Sequence, residues 1–172
     1  GSMIYRQAIM RNPTEPIYNE DGTHYENFGI NYYYNPVGIL EEQTGKYIVE
    51  NTRMTGNVTF EPIKGWQTNL MVGRRTSMSH DRGFETTEYY GQEIYNYTGT
   101  ASHSQGESRT DNLELTSKYN HTWDKHRFDA LVGYSYQYNV NEGFNAWNRN
   151  FPTDFYEYNN LGIGTYLKDG KA

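Results

Sequence analysis

Five histidines (His24, His80, His103, His121, His126) are the first residues to ask about chemistry, and none shares the i, i+4 spacing of a zinc site. A metal centre would need several of them to converge from distant loops. The chain has no Cys, which removes thiolate ligands, disulfides and a Cys nucleophile together. Ser79-His80-Asp81 puts three triad residue types side by side, but triads are recognised by geometry and not by adjacency. The acidic pair Glu41-Glu42 lies in loop-like sequence and reads as solvated carboxylates. No G-x-S-x-G, P-loop or dinucleotide fingerprint is present. The expectation is therefore a protein that is not an enzyme and needs no cofactor or metal. The aromatic loop residues Tyr89, Tyr90, Tyr95, Tyr97, Phe144 and Trp147 carry the functional hint. Rings of this kind stack on sugar faces, with Asn, Asp and Gln nearby to bond hydroxyls; they also serve simply to pack loops together.

Composition sets what must position those rings. Of 172 residues, 18 are Tyr and 16% are aromatic, yet only 35% are hydrophobic, which fits neither a disordered chain nor a soluble α/β enzyme. The net charge is −6 with scattered basic residues, so nucleic acid is not an expected partner. No apolar run approaches the roughly 18–20 residues of a membrane helix.

Period-two alternation supplies the elements. Met54, Gly56, Val58 and Phe60 alternate with Arg53, Thr55, Asn57 and Thr59. After Glu61–Gly65, Trp66, Thr68, Leu70 and Val72 alternate with Gln67, Asn69, Met71 and Gly73. Leu113, Leu115, Ser117, Tyr119, His121 and Trp123 begin a second hairpin, which turns at Asp124–His126 and returns through Phe128, Ala130, Val132, Tyr134, Tyr136 and Tyr138. The fold class expected is all-β: an antiparallel meander of about four strands at 46–60, 66–76, 109–123 and 127–140. Residues 1–3 read as the remnant of a cleaved tag, 4–45 as a loop segment, 46–140 as the two hairpins with a long loop at about 77–109, and 141–172 as a further loop. Short turns alternating with long loops are the rhythm of a transmembrane barrel. Met54, Val58, Phe60, Leu70, Val72, Leu113, Leu115, Phe128, Val132 and Tyr134 would face lipid. A soluble β-sandwich that binds carbohydrate alternates identically, and a glycoside hydrolase fragment is a further rival.

Five stretches in order resemble the SusC/RagA family of TonB-dependent outer-membrane transporters. They are Asn12-Pro13-Thr14-Glu15-Pro16 with Tyr18–Gly22, Tyr34–Leu40, Lys64-Gly65-Trp66 with Leu70–Gly73, His126–Gln137, and Phe151–Asp154 with Tyr158–Gly162. The resemblance implies an internal piece of a large barrel in the bacterial outer membrane, without the family's plug and TonB-box segments. It implies import of oligosaccharide or peptide cargo by a barrel embedded in outer-membrane lipid, with TonB and a SusD-like lipoprotein as partners. On that reading the three loop segments are extracellular.

Overall fold

The computed structural model describes residues 2–29, 34–90, 94 and 96–168. Four strands, β1 (Gln43–Ile63), β2 (Trp66–Glu85), β3 (Thr100–Trp123) and β4 (His126–Arg149), form one antiparallel sheet in the order β1-β2-β3-β4. This is the all-β meander expected. The described strands make one sheet and not the two layers a sandwich requires. Two helices, α1 (Ser2–Met10) and α2 (Pro36–Glu41), pack on each other in the N-terminal segment, and two short 3-10 turns lie at Glu157–Asn159 and Leu161–Ile163.

All four strands run past their expected limits: β2 continues to Glu85, β3 begins at Thr100 and β4 ends at Arg149. Alternation reveals a strand only where one face is apolar. Beyond Val72 and before Leu113 both faces turn hydrophilic, so the ladder continues without its sequence signal.

The chain divides into two compact units. One comprises 49–79 and 105–144; the other comprises 1–48, 80–104 and 145–172. In the first, cross-strand contacts fix the register. Thr59 Oγ1 donates to Asn69 Oδ1 at 3.0 Å, and a Cβ on Gly56 would meet Val72 Cγ2 at 3.4 Å, which sets Val58 opposite Leu70. Trp66 Nε1 donates to Ser117 Oγ at 2.8 Å and Arg74 pairs with Asp111 at 2.6 Å, which sets Leu70 opposite Leu115. The Phe128 ring lies 6.4 Å from both Tyr119 and Trp123, so it faces His121. Opposed residues of an antiparallel pair share a face. All ten positions expected to be apolar and outward therefore lie on one side of one sheet. Val58 is 64% and Val132 71% exposed, and no layer of the described chain covers them.

The second unit holds a small core. Phe84 and Phe151 meet edge-on at 5.6 Å with Ala101 beside them, and Tyr158, Leu161 and Ile163 close over it. No helix among the described residues is long and apolar enough to cross a membrane; strands are a separate matter.

Candidate functional site

The N-terminal segment is held largely by polar side chains, with Ile39 of α2 as its buried apolar residue. Asn35, fully buried, caps α2 by accepting from Val37 N at 3.1 Å, with Pro36 in the first turn. Its Nδ2 donates to the carbonyls of Ile17 (2.6 Å) and Tyr25 (3.2 Å), and its amide donates to Glu26 Oε2 at 2.8 Å. One side chain thus ties two loop segments to one helix. Gly22, at φ +88°, closes the turn between Tyr18 and His24, where Thr23 donates to the Asp21 carboxylate and holds its pKa below the usual range.

His24 stands between two carboxylates, with Nε2 3.0 Å from Glu41 Oε2 and Nδ1 3.3 Å from Glu42 Oε1. Glu42 also accepts from Thr86 Oγ1, which binds the end of β2 to the base of α2. Gly38 passes directly over the imidazole, and a Cβ there would sit 3.1 Å from its Cγ.

These pieces surround a hollow of about 220 Å³, lined by the polar residues Asn19, His24, Glu42 and Glu88 and by the aromatic residues Phe28, Tyr89 and Tyr90. Tyr90 stacks on Tyr34 at 4.0 Å and lies 4.2 Å from Tyr89, while Phe28 meets Tyr34 edge-on at 6.5 Å. Tyr89 is buried, and burial above all pushes its hydroxyl pKa well up, so it stays a neutral donor. A lining that combines aromatic rings with amide and carboxylate groups suits a polyhydroxylated ligand about the size of a sugar ring.

The expected aromatic residues divide between different duties. Tyr89 and Tyr90 line the hollow. Tyr97 and Trp147 instead hold the Arg149 guanidinium, at 4.5 Å and 5.2 Å from their ring centres, with Tyr166 at 6.0 Å. Those ring faces are occupied by a cation. Phe144 belongs to the other unit, on β4, where its ring is exposed. Tyr95 lies outside the described residues. Asn19, Glu26 and Asn35 were not singled out as site residues from the sequence, and His24 was weighed there only as a metal ligand. The one signal for any of them was Asn35-Pro36, which can be read as an N-cap followed by an N1 proline as well as a turn pair.

No protein-family model matches the chain. Over 167 residues it is 27% identical to TonB-dependent receptor P3 of Formosa agariphila, a match covering 95% of this chain and 16% of that protein. The likeness is to a TonB-dependent receptor. It extends over strands and loops alike, and the chain spans only a small part of receptor P3's length.

Proposed function

We propose that the chain is four consecutive barrel strands, with their loops, of a TonB-dependent outer-membrane importer of the SusC/RagA kind. The observation that carries this reading is the apolar face. On β3 it runs from Trp123 to Leu113, ten residue steps or about 33 Å of strand, which is about 25 Å of height at a tilt near 40°. That matches the outward apolar band of a barrel, and two features bound it. Trp66 and Trp123, both exposed, stand beside the short turns, where an aromatic girdle belongs. Arg74, Arg109 and Asp111 end the band on the same face with ion pairs of 2.6 and 3.5 Å. An uncovered apolar face of this extent requires a partner, and lipid suits its height.

The opposite face, with Asn57, Thr59, Gln67, Asn69, Thr116 and Lys118, then lines the lumen. A barrel of this class has at least eight strands, so β1 and β4 pair with further strands of the complete importer. The segment is a transport element and not an enzyme. Its cargo is an oligosaccharide or peptide fragment; TonB drives uptake, a SusD-like lipoprotein covers the extracellular side, and the Tyr89–Tyr90 hollow meets cargo there.

The test uses single-tryptophan variants reconstituted into bilayers with brominated acyl chains. Trp66 and Trp123 should be strongly quenched and Trp147 little. Equal, weak quenching of all three would remove the lipid-facing assignment.

A further inference from the structure

The strand-rich unit contains five arginines, Arg53, Arg74, Arg75, Arg109 and Arg127. Three of them meet carboxylates: Arg74 and Arg109 at Asp111, and Arg127 at Asp129, 2.7 Å away. Arg53 and Arg75 do not. Among the described residues neither has an ion-pair or hydrogen-bond partner, and both are exposed.

They also face each other. The β1–β2 register is constant from the Thr59–Asn69 hydrogen bond to the approach of Gly45 to Gly83, and it sets Arg53 directly opposite Arg75 on the polar face. Like charges opposed across an antiparallel pair are destabilising. The next strand offers Thr110, and the flanking positions offer Thr55 and Gly73, so the sheet supplies no acid here. Gly73 leaves the space beside them open. The result is a hollow of about 280 Å³ whose lining includes Arg53, Thr55, Gly73, Arg75 and Thr110, with Arg74, already paired with Asp111, also at its wall.

We propose that this hollow is an oxyanion-binding site on the lumen wall, where the paired guanidinium forks of Arg53 and Arg75 receive a carboxylate or sulfate ester carried by the cargo. The planar fork matches the oxygen spacing of either group, and two forks together relieve their mutual repulsion only when an anion lies between them. The site rests on the reading of the polar face as lumen, and it narrows the cargo from any oligosaccharide or peptide to one bearing fixed negative charge.

The experiment follows the arginine Nε–H resonances of the 172-residue chain in detergent micelles at constant ionic strength set with chloride. Glucuronate, glucose 6-sulfate and glucose are titrated in turn. Saturable shifts confined to Arg53 and Arg75, with one or both charged sugars and not with glucose, are expected, and the pair of charged probes separates carboxylate from sulfate. Arg53→Gln and Arg75→Gln should each weaken binding at least five-fold. Gly73→Leu, which fills the hollow and keeps both arginines, should do the same while the β3–β4 amide spectrum stays unchanged. Shifts that never saturate, or that spread equally over Arg109 and Arg127, would overturn the site. A spin-labelled detergent in the same samples reports the face assignment separately. Broadening of Val58 and Val132 methyls with Arg53 spared upholds the barrel reading whatever the anion titration gives.

Discussion

At Glu85 the side chain is more than half buried at the end of β2, beyond the apolar band, with the Tyr97 hydroxyl 3.5 Å away and the Arg149 charge nearby. Burial raises its carboxyl pKa, and the Tyr97 bond and Arg149 offset that only in part. A carboxyl whose folded pKa lies above its unfolded value favours folding at low pH, and that contribution is lost as pH rises through the raised value. Amides near Thr98–Ala101, corrected for intrinsic exchange, should therefore be better protected from hydrogen exchange at pH 4 than at pH 7. Glu85→Gln should flatten the difference. An unchanged pH profile in the variant would assign the effect to another group. Arg149 is the companion case: Tyr97 and Trp147 were legible as aromatic loop residues, but that they surround a cation depends on a β4 residue about fifty positions from Tyr97.

Among the elements, the two hairpins show what local sequence achieves and where it stops. The β1–β2 turn needs Gly65, at φ +88°, because an L side chain is strained there and a Cβ would also collide with the Asn120 carbonyl oxygen. Its carbonyl accepts from Asn120 N at 2.7 Å, so the turn is tied to β3 as well. Gly65→Ala should cost at least about 1–2 kcal/mol in denaturant unfolding in detergent. Gly73→Ala is the control: its backbone is extended and the nearest atom to a new Cβ is Met54 O at 3.6 Å, so a change within about 0.5 kcal/mol is expected. Equal losses in the two would show that the turn glycine has no special role. The strand ends beyond the band lacked a signal for a related reason, since there single residues such as Phe84 and Ala101 are buried by loops and no alternating apolar face is required. Helix α2 was hidden because a six-residue helix shows too little periodicity, and its cap, Asn35, reads equally as a turn residue.

For the molecule as a whole, the two faces of the sheet predict opposite tolerances. Val58 and Asn57 are neighbours in β1 on opposite sides. In a bilayer, Val58→Arg should cost about 2–4 kcal/mol near the middle of the band. Asn57→Arg should cost little, because on the proposed reading it faces an aqueous lumen. Reconstituted folding titrations of the two variants measure the difference, and equal costs would mean that the faces do not meet different solvents.

Alternation alone determined the four strands, their order through short turns and the membership of each face, because a period-two pattern states which residues must lie together whatever the fold around them. It also placed Trp66 and Trp123 beside the turns. What only the tertiary structure decided is which residues from different strands and loops become neighbours. That Arg53 faces Arg75 without an acid depends on cross-strand register, and that His24 joins Glu41, Glu42, Tyr89 and Tyr90 around one hollow depends on loops fastened by Asn35. Such contacts are set by hydrogen bonds between residues far apart in the chain, and no local pattern of polarity encodes them.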